Sequence, residues 1–389
     1  MLHILRNVKN ETMKYSPSNP FLLAGYHSPE YFCNRNEEYK KLEEAIQNER
    51  NVTLYSIRRL GKTALIRHLF YYLNKDKRYT TIYTDILPTE SLQDVTQKLA
   101  TAVMYKYGDI SKRGFTKKIQ EFIKSIGATF EFDPLTGTPS LKLQYQNQSK
   151  IKASLENILY YLADQKQSVV ITLDEFQQIT RFQEENPEAY LRSLVQEYPQ
   201  IRFIFSGSHR KIMMSMFTSH GKPFYRSTQL LELKPINKKE YSTFIKRHFK
   251  KAGKIITQPV IDKIFQWTRL QTYYVQLVCN KLYALSGQLS EEKLDETFVQ
   301  ILQEEENVFS NYRNLLTTTQ WKVLTALAKE GTVKEPTSGK FLKKYDISSA
   351  STMNTTLKAL ENKELIIRIN DEYTLHDTLL MRWIQYYVG

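Results

Sequence analysis

Ser56-Ile57-Arg58-Arg59-Leu60-Gly61-Lys62-Thr63 is the stretch of this 389-residue chain that decides its fold. A short apolar run with Val52 and Leu54 precedes it, and apolar residues at helical spacing follow it from Leu65. Strand, tight loop and helix in this order are the context that a phosphate-binding loop requires. The backbone N–H groups of such a loop, together with the N-terminus of the following helix, surround phosphate groups.

The end of this loop carries the side chains that handle phosphate. Lys62 is predicted to reach the β- and γ-phosphates, and the Thr63 hydroxyl is predicted to hold Mg²⁺. The predicted nucleotide-binding residues of this Walker A loop are Arg58, Arg59, Leu60, Gly61, Lys62, Thr63 and Ala64. Ser56 stands where the motif usually has its first glycine, and a serine fits there if its φ is negative.

The composition indicates an ordinary globular chain, because 41% of its residues are hydrophobic and 25% are charged. No apolar run reaches the roughly 18 residues of a membrane-spanning helix, and no signal peptide is evident, so we expect a cytoplasmic protein. Cys33 and Cys279 are the two cysteines, which argues against a disulfide framework or a zinc site. The net charge of +14 favours a polyanion such as nucleotide, nucleic acid or acidic protein, although a basic protein without such a partner fits equally well.

Strands alternate with helices up to Pro235. Strand candidates are residues 52–55, 79–86, 168–173 and 201–205, and helical patterns cover residues 36–48, 91–106, 151–165 and 187–197. This alternation predicts βαβ units and a parallel sheet. Residues 128–146 instead alternate apolar and polar side chains around a turn at 133–137, which predicts a β-hairpin or loop inserted into the α/β core.

The pattern changes after Pro235, where strands disappear. Residues 238–307 have the spacing of successive amphipathic helices. Helices at 318–330, 339–345 and 349–363 then precede short strands at 365–369 and 372–375, an order that describes a winged helix. We therefore predict three domains: an α/β core at 1–235, a helical domain at 236–308 and a winged-helix domain at 309–389.

A second candidate site is the apolar strand that ends in two carboxylates, Val169-Val170-Ile171-Thr172-Leu173-Asp174-Glu175. In this Walker B pattern Asp174 would orient Mg²⁺ through its water shell, and Glu175 would polarise the attacking water. The alternative is that the two carboxylates cap a helix. After the next strand, Ser208, with Ser206 as second choice, is predicted to reach the γ-phosphate or the attacking water; the alternative is a plain turn that starts a helix.

Together these motifs resemble the predicted AAA+-like ATPases first described in archaea and abundant in Bacteroidetes, which are close to the STAND class of signalling NTPases. The resemblance covers nearly the whole chain. It rests on Asn19-Pro20-Phe21, Phe32-Cys33-Asn34-Arg35-Asn36-Glu37-Glu38, Arg58-Arg59-Leu60-Gly61-Lys62-Thr63, Asp174-Glu175-Phe176-Gln177, Gly207-Ser208 and Tyr273-Tyr274-Val275-Gln276.

The resemblance implies an α/β P-loop NTPase core of the AAA+-like type with an α-helical lid and a C-terminal winged helix. It also implies ATP or ADP with Mg²⁺ as ligands, and it places Phe32 and Arg35 on the adenine side. Two further positions depart from the family pattern. Asn34 replaces a glycine, and Leu270-Gln271-Thr272 replaces a Gly-x-Pro element that reports the state of the nucleotide in STAND-type proteins.

Several features bear on partners. Arg192 and Arg226 are candidate arginine fingers, which stabilise transition-state charge and often come from a neighbouring subunit, so a nucleotide-dependent homo-oligomer is one expectation. The winged helix has only a small excess of basic residues, so DNA binding and docking of a protein or the lid both remain open. A stronger basic run, Lys246-Arg247-His248-Phe249-Lys250-Lys251, is also explained by a solvated helix face.

Three functions remain open on the sequence. The first is an ATP-binding P-loop ATPase that slowly hydrolyses ATP to ADP and phosphate as a conformational switch. The second is a nucleic-acid-binding regulator that uses nucleotide only as a structural ligand, a hypothesis motivated by the charge and the winged helix. The third is an interaction scaffold with a degenerate nucleotide site, motivated by Ser56, Asn34 and Thr272. We expect no membrane partner.

Overall fold

The computed structural model describes residues 16–108, 116–132, 137–144 and 147–388. Residues 133–136 of the expected turn fall outside this range. The chain forms two compact units. The first contains Ala24–Lys234, and the second contains Ser18–Leu23 together with Pro235–Gly389. Within the described residues, no helix combines the length and the apolar character needed to cross a membrane.

The first unit is an α/β layer structure. Its strands are β1 (Val52–Tyr55), β2 (Tyr79–Asp85), β3 (Ala128–Phe132), β4 (Pro139–Leu143), β5 (Ser168–Asp174), β6 (Ile201–Gly207) and β7 (Gln229–Glu232). Its helices are α1 (Asn36–Gln47), α2 (Lys62–Leu73), α3 (Leu92–Tyr107), α4 (Lys117–Ser125), α5 (Gln148–Ala163), α6 (Pro187–Glu197) and α7 (Arg210–Thr218).

Five strands form one sheet in the order β2-β5-β6-β1-β7, and every pairing within it is parallel. The register places Tyr55 beside Gly207 and Asp85 beside Asp174. The carboxyl ends of β1, β5 and β6 therefore meet at one edge of the sheet, the edge where open α/β sheets bind ligands. The parallel α/β core is confirmed, and β3 and β4 form the expected antiparallel hairpin.

Apolar side chains bury both faces of this sheet. On one face, Leu42 and Ile46 of α1 and Leu65 and Leu69 of α2 pack on Val52 and its neighbours in the sheet. On the other face, a larger apolar cluster joins the sheet to α3, α5, α6 and α7. Strands covered on both sides read as continuous apolar runs, which is why β5 was identifiable from sequence.

The second unit is mostly helical. Its helices are α8 (Lys238–Lys251), α9 (Gln258–Thr268), α10 (Thr272–Ala284), α11 (Glu291–Glu304), α12 (Glu306–Ser310), α13 (Tyr312–Leu315), α14 (Thr318–Glu330), α15 (Gly339–Lys344), α16 (Ala350–Asn362) and α17 (Thr378–Tyr387). The antiparallel strands β8 (Ile366–Ile369) and β9 (Glu372–Leu375) form the wing. The predicted winged helix is thus present.

Hydrogen bonds join the α8–α11 helices to the winged helix within this unit. Arg269 Nη2 donates to Thr332 Oγ1 at 2.6 Å, and Gln271 Nε2 donates to the carbonyl of His376 at 3.2 Å. Arg382 Nε donates to the carbonyl of Trp267 at 2.9 Å. These two parts are therefore packed as one compact unit, and their division into separate domains stays a prediction.

Candidate functional site

The loop between β1 and α2 has the backbone that its sequence requires. Arg59 (φ 68°) and Gly61 (φ 92°) adopt the left-handed region, whereas Ser56 is not among the described residues with positive φ. Serine at this position therefore carries no backbone strain. The Ser56 hydroxyl donates to the carbonyl of Ile57 at 2.7 Å and accepts a hydrogen bond from Lys62 Nζ at 3.2 Å. The serine thus helps to hold the lysine ammonium.

Lys62 is a buried cation at the first position of α2, with 6% of its surface exposed. Burial lowers the pKa of its ammonium, while the nearby carboxylates of Glu175 and Asp174 oppose that effect and Arg58 adds to it. Gly61 caps the helix without a side-chain hydrogen bond. The first N–H groups of α2 and the Lys62 ammonium therefore form a cradle with positive potential, which suits a phosphate group.

The Asp174 carboxylate at the end of β5 accepts hydrogen bonds from two hydroxyl groups. Thr63 Oγ1 donates to Asp174 Oδ2 at 3.0 Å, and the Tyr83 hydroxyl of β2 donates to the same oxygen. Burial and then the charge of Asp174 raise the pKa of Tyr83, so its hydroxyl stays a donor. The Arg67 guanidinium lies 3.9 Å from the centre of the Tyr83 ring. The P-loop threonine and the strand carboxylate thus meet.

Glu175 is held by side chains that follow β5 and β6. The Ser208 hydroxyl donates to Glu175 Oε2 at 2.6 Å, and the Ser208 backbone N–H donates to the same oxygen at 3.2 Å. Gln177 Nε2 donates to this oxygen too, at 2.5 Å. Ser208 therefore lies in the site, whereas the buried Ser206 hydroxyl makes no hydrogen bond with the described residues.

The segment before α1 reaches the loop from behind. Arg35 is buried, and its guanidinium donates to the carbonyl of Leu60 at 2.7 Å and to the carbonyl of Lys234. Asn34 has φ 41°, and asparagine is among the side chains that tolerate this region, which explains how it can replace glycine. Phe32 stacks on His68 with ring centres 4.1 Å apart. Arg35 thus supports the loop backbone, and contact of Phe32 and Arg35 with adenine remains a prediction.

The two candidate arginine fingers lie apart from this cluster. Arg192 is on α6, and Arg226 (φ 51°) lies against the Tyr225 ring. Within the described residues, neither makes a hydrogen bond or ion pair with Lys62 or its neighbours. Both remain predictions.

The residues present fit a magnesium–nucleotide complex. No group of three or more His, Cys, Asp or Glu side chains in the described part of the chain is arranged to hold a metal ion alone. Mg²⁺ in phosphoryl-transfer sites instead takes one or two protein ligands, water and phosphate oxygens. Thr63 and Asp174, beside the uncapped end of α2 and Lys62, provide that smaller set.

Tyr83, Arg67 and Gln177 lie at the site although the sequence did not predict a role for them. Tyr83 was inside a predicted strand, but only the β2–β5 register, which pairs Tyr83 with Thr172, brings it near Asp174. Gln177 ends the Asp174-Glu175-Phe176-Gln177 motif, to which the resemblance attaches no role for the glutamine. Its position two residues after Glu175 was the available signal.

The fold and this cluster define a P-loop nucleoside triphosphatase core of the AAA+-like type. Residues 32–278 match a family described as an ATPase domain predominantly from Archaea, and residues 307–386 match a probable winged helix domain. The chain belongs to this ATPase-domain family, as the sequence motifs predicted. No curated protein matches the sequence.

Solved structures share this fold. A Walker-type ATPase of Pyrococcus abyssi has a TM-score of 0.66 at 16% identity, with 94% of this chain and 99% of that chain covered. The Aeropyrum pernix ORC2 protein in ADPNP–ADP complexes has a TM-score of 0.56 at 12% identity, with 97% of each chain covered. Its ADP form has a TM-score of 0.51 at 13% identity, covering 99% of this chain and 98% of that chain. At these identities the likeness concerns the fold.

Proposed function

We propose that this protein binds ATP with Mg²⁺ and hydrolyses it to ADP and phosphate. The observation that carries the proposal is the meeting of Thr63 and Asp174 at 3.0 Å beside the buried Lys62. The buried Lys62 ammonium and the first N–H groups of α2 form a positive cradle that suits the phosphate groups of a nucleotide. The ATPase family and its fold support the same conclusion.

The residues of the chain divide the work as follows. Lys62 and the first N–H groups of α2 bind and orient the β- and γ-phosphates. Thr63 and, through water, Asp174 would hold Mg²⁺, which would supply charge neutralisation at the phosphate oxygens. Glu175 orients the attacking water and accepts its proton, and Ser208 keeps that carboxylate in place.

Two substitutions test this assignment. Lys62→Ala removes the phosphate-binding cation, so ATP affinity should fall by about tenfold or more. Glu175→Gln keeps the shape of the side chain but removes the proton acceptor, so hydrolysis should fall by about a hundredfold while ATP affinity is retained. Calorimetric titration with ATP and phosphate release measure the two effects. Phosphate release from Glu175→Gln at the parent rate would contradict the role of Glu175.

We also propose that turnover is slow and that hydrolysis switches the conformation of the chain. Among the described residues, no second group of catalytic side chains lies beside Lys62 and Glu175 to act on another substrate, which supports a switch over a transferase. Hydrogen exchange of the Glu175→Gln variant should differ between saturating ATP and saturating ADP. Identical exchange in both nucleotide states would refute the switch and leave ATP hydrolysis as the function.

A groove in the second unit supports a second candidate function, nucleic-acid binding. The groove has a volume of about 310 Å³ and is lined by Lys238, Lys239, Ser242, Thr243, Lys246 and Gln258. Its three lysines make no ion pair with the described carboxylates, so they are available to phosphate groups. Replacing these lysines by alanine should lower the affinity for DNA and reduce its dependence on salt concentration. Lys40→Ala with Lys41→Ala, at exposed positions of α1, should leave both unchanged. No binding by the parent would remove this candidate.

A further inference from the structure

Among the described residues, one oxygen of the Glu175 carboxylate accepts every hydrogen bond that holds the side chain. Glu175 Oε2 accepts from the Ser208 hydroxyl, the Ser208 N–H and the Gln177 amide, at 2.6, 3.2 and 2.5 Å. The other oxygen, Oε1, has no hydrogen bond with the described residues. A carboxylate fixed through one oxygen presents the second in a defined direction, which is the requirement for a group that orients water.

The backbone at Glu175 is fixed as well. Glu175 adopts the left-handed region with φ 57° and ψ 42°, which is unfavourable for a side chain with a Cβ. Its N–H donates to Asp174 Oδ1 at 3.0 Å, and its carbonyl accepts from the Gln178 N–H at 2.9 Å. Such strain persists where the surroundings over-determine a functional geometry.

The Gln177 amide is hydrogen-bonded through its nitrogen, whereas its oxygen has no partner among the described residues. The side chain is buried, and Gln177 Oε1 accepts no hydrogen bond from the described residues. An unpartnered buried carbonyl destabilises the fold, so an apolar side chain of the same shape would suit the packing better. The amide is therefore explained by what its nitrogen does for Glu175 and poorly by packing alone.

Gly207 provides the space for this amide. A Cβ at Gly207 would lie 2.5 Å from Gln177 Oε1 and 2.4 Å from Met213 Sδ. Gly207 does not have a positive φ, so the close approach of these side chains, and not backbone freedom, requires glycine. The strand end and the Gln177 side chain therefore fit each other.

We infer that Gln177 is a positioning residue: it holds the Glu175 carboxylate by Oε2 so that Oε1 faces the attacking water. This inference rests on the proposed ATPase function. In the described residues, Gln177 is not hydrogen-bonded to Lys62, Thr63 or Asp174. Replacing it should therefore slow the hydrolytic step and leave ATP binding unchanged.

Gln177→Met tests the inference, because methionine keeps the length of the side chain and removes the amide. We expect kcat for ATP hydrolysis to fall by about tenfold to a hundredfold, with the Kd for ATP unchanged within about twofold. The thermal midpoint should not fall, because the unpartnered carbonyl is removed as well. Gly207→Ala, which pushes the amide away from Glu175, should lower kcat with the same unchanged Kd.

Gln178→Met is the matched control. Gln178 is the neighbouring glutamine, and its amide donates to the carbonyl of Thr89 at 2.9 Å and not to Glu175. Its kcat should stay at the parent value. A Gln177→Met protein with parent kcat, or with a lower kcat explained by a lower thermal midpoint, would overturn the inference while Glu175-dependent hydrolysis stands. A parent whose hydrolysis does not depend on Glu175 would overturn the proposed function itself, and the inference with it.

Discussion

At the scale of single residues, the hydrogen bond from the Tyr83 hydroxyl to Asp174 should affect Mg²⁺ binding directly. It donates to the Asp174 oxygen that also accepts from Thr63, so it fixes the carboxylate that would orient the waters around Mg²⁺. Tyr83→Phe removes only this donor. We expect the Mg²⁺ concentration for half-maximal hydrolysis to rise by about tenfold, as for other partners of metal-binding groups, while binding of metal-free ATP is unchanged.

Tyr79→Phe provides the control for Tyr83→Phe. Tyr79 lies on the same strand, and its ring is 5.5 Å from the Arg78 guanidinium, far along the strand from the Asp174 pairing. The Mg²⁺ dependence of this control should match that of the parent chain. An unchanged Mg²⁺ dependence in Tyr83→Phe would show that Asp174 is held adequately by Thr63 alone.

His68 should make the stability of the fold depend on pH. It stacks on Phe32 and bonds to the Tyr26 hydroxyl at 2.9 Å, and burial lowers its pKa from 6.5 to about 4. Between these two values the unfolded chain binds a proton that the folded chain does not, so stability falls as pH falls from about 6.5 to about 4. The thermal midpoint should therefore drop on going from pH 7 to pH 4.5.

His68→Phe should reduce this drop, because it keeps an aromatic ring against Phe32 and removes the titrating group. Exposed His220, which bonds to the Tyr225 hydroxyl at 3.1 Å, offers the comparison His220→Gln. Circular dichroism at the two pH values measures both. Equal drops in the parent and in His68→Phe would mean that other groups govern the acid sensitivity.

The residues that could be predicted are those whose role is set by their neighbours in sequence. Lys62, Thr63, Asp174 and Glu175 follow from the order of strand, loop and carboxylate, and the structure brings Thr63 and Asp174 together. Tyr83 could not be predicted in this way, because its role depends on which strand lies beside β5. Sequence periodicity identifies strands but does not give their order in the sheet.

At the scale of elements, Asp377 connects two parts of the second unit. Its carboxylate caps α17 by accepting from the N–H groups of Leu379 at 2.8 Å and Leu380 at 3.3 Å, and it also accepts from the Tyr274 hydroxyl of α10. Asp377→Ala should therefore cost about 2–4 kcal/mol, because it removes a helix cap and the acceptor of the Tyr274 hydroxyl.

Ser349→Ala isolates the capping contribution. Ser349 caps α16 by accepting a hydrogen bond from the Thr352 N–H at 3.1 Å, and Ser349 is exposed. Its loss should cost about 1 kcal/mol. The three tryptophans, Trp267, Trp321 and Trp383, all lie in the second unit, so urea unfolding followed by tryptophan fluorescence reports on it. Equal losses in the two variants would mean that the Tyr274 contact contributes nothing.

Elements with a clear apolar pattern were predictable, whereas β7 and α4 were not. The predicted helices at 36–48, 187–197 and 318–330 agree with α1, α6 and α14 to within a residue. The edge strand β7 has only four residues, Gln229–Glu232, and only Leu231 among them is buried, which is too little for a periodic signal. α4 was missed as well, although its buried residues Ile119, Phe122 and Ile123 have helical spacing.

At the scale of the whole molecule, a short N-terminal segment belongs to the C-terminal unit. Phe21 is fully buried, with its ring 5.2 Å from Phe249 and 5.8 Å from Tyr283. The Asn280 side chain donates to the carbonyl of Phe21 at 2.8 Å, and Asn19 Nδ2 donates to the carbonyl of Asn280 at 2.9 Å. Prediction from sequence groups neighbours along the chain, so it placed these residues in the α/β core.

Phe21→Ala should consequently destabilise the second unit and spare the ATP site. Deleting a buried phenylalanine costs about 3–5 kcal/mol, so the tryptophan-detected urea midpoint should fall clearly. Phe224→Ala is the matched control, because Phe224 is equally buried but lies in the first unit with Phe205 and Phe217. It should lower the stability of β5 and β6, seen by hydrogen exchange, with little change in the tryptophan signal. The Kd for ATP should stay at the parent value in Phe21→Ala, and a tryptophan midpoint that shifts equally in both variants would contradict the assignment of Phe21 to the second unit.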